Sequence, residues 1–136
     1  MKLLIFYMDK FVYETNQKGL DTVEDNYIKE IIEKAVVAFI HVEKKDEDNG
    51  NYVETKLVKN LKWTARKNET DRIVLHSFNH LSESDASPEF TKNIFDSVEV
   101  RLNKSDYKTS QTPFGYFLNL DIQAPGKPLA RIFKEF

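Results

Sequence analysis

Two histidines, a cluster of hydroxyls and one proline-glycine turn are the parts of this 136-residue chain that could do chemistry. His80 follows the apolar run Ile73-Val74-Leu75 and stands where a strand gives way to a loop. A rigid strand fixes the backbone there and the loop exposes the side chain, so an imidazole can serve as acid or base near neutral pH. His76 lies four residues earlier, a separation seen in metal sites, but a strand end and a loop do not align i and i+4 as a helix does. Ser82, Ser84 and Asp85 bring hydroxyls and a carboxylate close to His80, yet no serine sits in the glycine-flanked elbow of a covalent nucleophile. The plainer reading of His80 is an exposed or internally satisfied histidine.

The second constellation is Thr112-Pro113-Phe114-Gly115-Tyr116-Phe117-Leu118. Pro113 fixes φ, Gly115 lets a ligand approach the backbone, and Tyr116 and Phe117 point to opposite faces of a strand. A small aromatic-walled pocket with exposed amides would result; a glycine in a twisted strand, with the aromatics in the core, is the alternative. The third is Lys56, Lys59, Lys62, Arg66 and Lys67, opposed only by Glu54. This is either a phosphate-contacting face or an ordinary solvated one. Trp63 beside it could stack on a base or form the rim of a core.

Periodicity supplies the elements that must hold these groups. Leu3 to Tyr7 reads as a strand with a hairpin partner at Phe11 to Glu14, and Ala35 to Val42 as a strand apolar enough to be buried on both faces. Val53, Leu57, Leu61 and Ala65 recur every four residues, predicting a helix from Tyr52 to about Lys67. Arg72 to Ser77 is a strand. Ser87-Pro88-Glu89 then supplies an N-cap, a first-position proline and a first-turn acid, opening a helix whose stripe is Phe90, Ile94, Val98 and Leu102. From Phe114 to Gln123 the period falls to two, Pro125-Gly126-Lys127-Pro128 turns the chain, and Leu129 to Phe133 returns. The sum is an α+β domain spanning 1–136, two helices on a largely continuous sheet.

Composition narrows the partners. Hydrophobic residues at 40% and charged residues at 31% fit a globular domain, and no apolar run approaches the roughly 20 residues that span a bilayer, so no membrane is expected. The apolar start breaks at Asp9-Lys10 and reads as a strand rather than a signal peptide. The absence of cysteine rules out disulfides and thiolate zinc, and a cytoplasmic location is expected. Four glycines make no phosphate-cradling loop, and a formal charge of −2 argues that any RNA contact is a local patch. The run from Lys44 to Asn51 is a polar loop.

Taken in order, the first strand, Val36 to Lys44, Ile73 to Ser82, Ser87-Pro88-Glu89, Thr112 to Phe117 and Gly126-Lys127-Pro128-Leu129-Ala130 resemble the archaeal-type N-terminal editing domain of threonyl-tRNA synthetase. The resemblance covers nearly the whole chain. It implies a D-aminoacyl-tRNA deacylase-like fold, a mostly antiparallel or mixed sheet with two packed helices, and a homodimer. The implied activity is hydrolysis of serine mischarged on threonine tRNA, with neither metal nor dissociable cofactor. One methylene discriminates by only about 1–3 kcal/mol, so a synthetic site that accepts threonine needs a second, smaller sieve against serine. Carried onto this chain, the substrate wall comprises His41 and Val42, then Ser77, Phe78 and Asn79, then Phe114, Gly115, Tyr116 and Phe117. The terminal ribose hydroxyl of the tRNA would help to place the attacking water. Leu118 stands where the family usually has a lysine, Arg131 where it has a glutamate, and Asn79 where it tends to have alanine. The catalytic groups expected here are therefore His80 and Arg131, the latter bringing a cation from a new direction. Lys56, Lys59, Lys62 and Arg66 are the expected tRNA contacts, and a synthetase catalytic module in cis or trans is a further expected partner. Two alternatives stay open: an editing fold that binds tRNA or dimerises without hydrolysis, and a deacylase for another aminoacyl ester.

Overall fold

In the computed structural model, which describes residues 1–136, the first strand is far longer than its apolar start suggests. β1 is Lys2–Lys18 and pairs antiparallel with β2, Lys29–His41. The expected hairpin partner at Phe11 to Glu14 is thus a continuation of the same strand: Asp9-Lys10 interrupts the apolar pattern, not the chain direction. The helix α1 is Gly50–Lys67, β3 is Arg72–Ser77, α2 is Pro88–Lys104, β4 is Lys108–Gln111, β5 is Tyr116–Gln123 and β6 is Arg131–Glu135. β4 is invisible to periodicity because Lys-Thr-Ser-Gln carries no apolar residue.

The strands form one mixed sheet in the order β4-β3-β2-β1-β5, with β6 also against β1. β2–β3 and β3–β4 are parallel and the rest antiparallel. β1 is long enough for β5 to line Lys10 to Lys18 while β6 lines Lys2 to Phe6 on the same edge. The α+β architecture with two packed helices is the expected one.

Two cores follow from the two faces. Both helices lay their apolar stripes on one face, where Leu57, Leu61, Val98 and Leu102 meet Leu3, Ile5, Ala38 and Ile40, all inaccessible to solvent. Opposite lies a second cluster of Met8, Phe11, Tyr13, Ala35, Val37, Phe39 and Val74. Ala35 to His41 is therefore buried on both faces, as its almost fully apolar sequence predicts.

The alternation of β1 and β2 reverses along their length. Leu4, Phe6 and Met8 face the second cluster, but so do Phe11 and Tyr13; Val37 and Phe39 of β2 are joined there by Ile32 and by Ile28, just before the strand. The reversal falls at Asp9 and Lys34, which do not pair in an otherwise regular ladder, and Lys34 takes a φ of 52°. A left-handed residue turns the side-chain phase over, which wraps the tip of the hairpin around the second cluster.

Candidate functional site

The strand ends and the start of α2 converge on a cleft of about 340 Å³. One wall is His76, Ser77, Phe78, Asn79 and His80, where β3 runs out into its loop; the other is Pro113 to Leu118 at the start of β5. Ala86, Pro88 and Thr91 close it from the entry of α2, and Gly19 and Leu20 from the end of β1. Ser87 caps that helix by accepting from the Phe90 amide at 3.1 Å, as Ser-Pro-Glu foretells. The helix thus presents its positive dipole end to the cleft.

Gly115 is the hinge of the second wall. Its φ of 82° is a conformation that residues with a Cβ rarely adopt, and its carbonyl accepts from the Gly19 and Leu20 amides at 2.7 and 3.2 Å. A Cβ at this position would lie 2.6 Å from Cγ1 of Val23. Tyr116 secures the same corner: its hydroxyl donates to the Glu24 carbonyl and accepts from the Asn26 amide. That hydroxyl is committed to holding the loop.

His80 is exposed in the cleft, its ring edge-on to Phe78 at 4.8 Å, and its amide bonds the Phe78 carbonyl. His76 lies deeper, 6% exposed, with Nδ1 hydrogen-bonded to Thr112 Oγ1 at 2.9 Å and Phe39 edge-on at 5.2 Å. Burial foremost, and the neighbouring His80 second, push His76 down from 6.5 to about 4. No carboxylate, ammonium or guanidinium lines the cleft. Nor are three or more His, Cys, Asp or Glu side chains grouped to hold a metal ion.

Ser77, Phe78, Asn79, His80 and Phe114 to Phe117 are brought together as the sequence suggests. His41 and Val42 are not. Val42 is in the main core and His41 is wholly buried behind the loop that carries His80. The reason is that residues 40–43 serve as a rail for that loop. The Phe78 and Ala86 amides donate to the Ile40 and Val42 carbonyls, at 2.9 and 3.0 Å. The Leu81 amide donates to His41 Nδ1 at 3.1 Å, leaving Nε2 to donate to Asp85 Oδ1 at 2.6 Å. Ser82 Oγ donates to Glu43 Oε2 at 2.8 Å. Burial alone would raise the Glu43 carboxyl, but the Met1 ammonium at 2.9 Å and the Ser82 hydroxyl outweigh it and hold it below the usual range.

Arg131 is also misplaced by the sequence reading. It opens β6 opposite Phe6, whereas Leu118 is paired to Thr15 on the far half of β1, and Arg131 does not line the cleft. The basic helix face is real but remote. Lys62 reaches Ser105 and Arg66 reaches Tyr107, both past the C-terminal end of α2, while the cleft adjoins its N-terminal end. Those ends are about 25 Å apart at 1.5 Å per residue. Lys56 lies over the Tyr52 ring and Lys67 over Trp63, leaving Lys59 the outward lysine between them. Trp63 is 41% exposed at this rim.

Two cleft features escape the sequence reading. His76 is given no role by its spacing from His80, and only the fold sets Thr112 beside it. Gly19 and Leu20 carry no signal because the end of β1 is not legible.

Residues 1–136 match, as a family, the archaea-specific editing domain of threonyl-tRNA synthetase. The chain is 30% identical over 135 residues to the threonine–tRNA ligase of Thermococcus gammatolerans, and 31% identical over 134 residues to that of Methanosarcina barkeri. Each match takes in 97% of this chain but 22% and 21% of the relative, so the chain spans about a fifth of the length of these curated relatives. Among solved structures, the c-Myc DNA unwinding element binding protein is similar over 100% of this chain and 99% of its own, with a TM-score of 0.69 and 13% identity. That likeness shows the fold alone.

Proposed function

Since the chain belongs to the archaea-specific editing-domain family of threonyl-tRNA synthetase, we propose that it hydrolyses the ester joining serine to the 3′ end of mischarged threonine tRNA. Membership supports aminoacyl-tRNA editing in general; the cleft supports the particular reading. The observation that carries it is the convergence of the 77–80 and 114–117 segments on one small cleft, with an exposed imidazole in it and no fixed charge.

The chemistry follows from that inventory. A water oxygen adds to the ester carbonyl while His80 takes its proton. The carbon–oxygen bond to the ribose then breaks, and the proton passes to the departing ribose oxygen, giving free amino acid and a tRNA hydroxyl. The developing oxyanion faces the positive end of α2 beside Pro88 and Thr91, where a helix N-terminus favours negative charge. The cleft of about 340 Å³ is large enough to receive the ester, a small amino-acid side chain and part of the terminal ribose.

The acceptor end would enter past the exposed ring of Phe117, with Lys56, Lys59, Lys62 and Arg66 contacting phosphates farther along the duplex. A homodimer is supported by the open side of the second cluster. Phe133 and Ile122 pair across to Leu4 and Phe11 on that face and are 52% and 42% exposed.

Single-turnover deacylation of seryl and threonyl esters on threonine tRNA, with His80→Ala beside the wild type, tests the proposal. Selective loss of serine that falls about 10²-fold or more in the variant is expected. Equal rates in both proteins would refute the role of His80. The second reading, an editing fold that binds without hydrolysing, is favoured by one observation: Leu118 lines the cleft and Arg131 does not, so no cation stands at the reacting ester.

A further inference from the structure

The deeper histidine is not used by the hydrolysis just described, and its surroundings are built rather than incidental. His76 is 6% exposed yet lines the cleft, while His80 above it is exposed. Phe39 stands edge-on to its ring at 5.2 Å, and Phe78 lies tilted at 6.0 Å, between His76 and His80. One ring nitrogen is committed to Thr112 Oγ1 at 2.9 Å, and Thr112 is itself 5% exposed with no other partner for its hydroxyl. The other nitrogen, Nε2, has no protein partner and is not sealed off from solvent-accessible space. A polar atom on the floor of an aromatic-walled cleft, free of protein contacts, is a recognition point for whatever enters deepest.

We propose that His76 is a second substrate-contacting histidine, whose Nε2 hydrogen-bonds the side-chain hydroxyl of the bound aminoacyl group and so selects hydroxyl-bearing esters over alanyl ones. The proposal rests on the editing function set out above and deepens it. The ring is neutral at physiological pH, so it meets a hydroxyl without bringing charge to the floor. The Thr112 hydroxyl can give or take a hydrogen, so either imidazole tautomer is satisfied and Nε2 can accept or donate. A hydroxyl has the same versatility. The titratable group facing the ring is His80; its other neighbours, Phe39, Phe78 and Thr112, bear no charge. An alanyl ester would leave Nε2 desolvated and unpaired, and this kind of mismatch discriminates more strongly than a missing methylene.

The test compares seryl and alanyl esters on the same tRNA under single turnover in wild type, His76→Phe and His76→Gln. Wild type should favour serine by about tenfold or more. His76→Phe should abolish that preference mainly by slowing serine, and His76→Gln, which keeps a hydrogen-bonding end, should retain part of it. A preference unchanged in both folded variants would overturn the proposal. A readout without turnover is the ¹⁵N resonance of His76 Nε2 on adding amide-linked seryl or alanyl mimics of the 3′-terminal adenosine. A shift with the seryl mimic only supports the assignment even if the wild type hydrolyses neither ester, in which case the hydrolytic function fails and the recognition stands. The same shift with both mimics, or with neither, refutes it.

Discussion

Gly115→Ala should be the most costly single-methyl change in the cleft, and its cost can be divided in advance. At φ 82° an alanine pays about 1–2 kcal/mol for a left-handed backbone. Its Cβ would stand 2.6 Å from Cγ1 of Val23, an overlap worth about 1–3 kcal/mol. The loss of unfolded-chain freedom returns about 0.4–1 kcal/mol. The net is about 2–4 kcal/mol. An unfolding entropy of about 2.1 cal/mol/K per residue over 136 residues makes each kcal/mol about 3.5 °C, so Tm should fall by about 7–14 °C. Val23 is half-buried, and Val23→Ala makes room for the new methyl. In that background Gly115→Ala should cost only the backbone share, about 1 kcal/mol, and lower Tm by about 3–4 °C. Thermal melts of the four proteins by circular dichroism supply the cycle. An equal cost in both backgrounds would refute the overlap, and a single variant within about 2 °C of wild type would refute the backbone argument as well.

Three other outcomes are expected. His76 binds its proton with a pKa of about 4 when folded against 6.5 as a free side chain, so the unfolded chain takes up more protons between these values and stability is lost as pH falls through that window; the difference amounts to about 3 kcal/mol, and urea titrations at pH 7 and pH 4 should show a smaller loss in His76→Phe than in wild type. His41→Phe leaves the Leu81 amide and the Asp85 carboxylate without their shared partner, which should cost about 2–3 kcal/mol in chemical denaturation and slow deacylation through a displaced His80, although His41 does not line the cleft; an unchanged rate would show that the rail does not position His80. Lys59→Glu with Lys62→Glu should weaken tRNA binding and flatten its salt dependence while sparing hydrolysis of a seryl-adenosine ester, which is too short to reach the helix; unchanged tRNA affinity would remove this face from the RNA site.

The elements that are legible in the sequence are those with a full period or a cap. The spacing of Val53, Leu57, Leu61 and Ala65 reports α1, Ser87-Pro88-Glu89 reports the start of α2 to the residue, and the almost fully apolar run from Ala35 reports a strand between two cores. β1 is cut short in that reading because Asp9 and Lys10 are polar, and polar residues where a ladder changes phase look the same as a turn. β4 has no apolar member to show it. In the site, contiguous segments such as Ser77 to His80 and Phe114 to Phe117 arrive together because each is one strand end. Residues whose neighbours come from elsewhere are read poorly. His41 looks like a wall until the loop after β3 lies over it, and Arg131 looks like a replacement cation until β6 is seen to pair with the near half of β1. Pairing register and loop closure depend on the whole sheet, and no local pattern encodes them.

The reversal of alternation at Asp9 and Lys34 bears on how this domain can be rebuilt. On either side of that step the rule for which positions accept a charge is shifted by one, so a substitution scan along β1 should show two tolerance patterns out of phase, with the break at Asp9. A graft that carries only one strand of the hairpin across the break would turn half of its side chains from core to solvent. Chimaeras with relatives should therefore exchange residues 10–33 as a block, both ends cut at the unpaired step, where the two phases already meet.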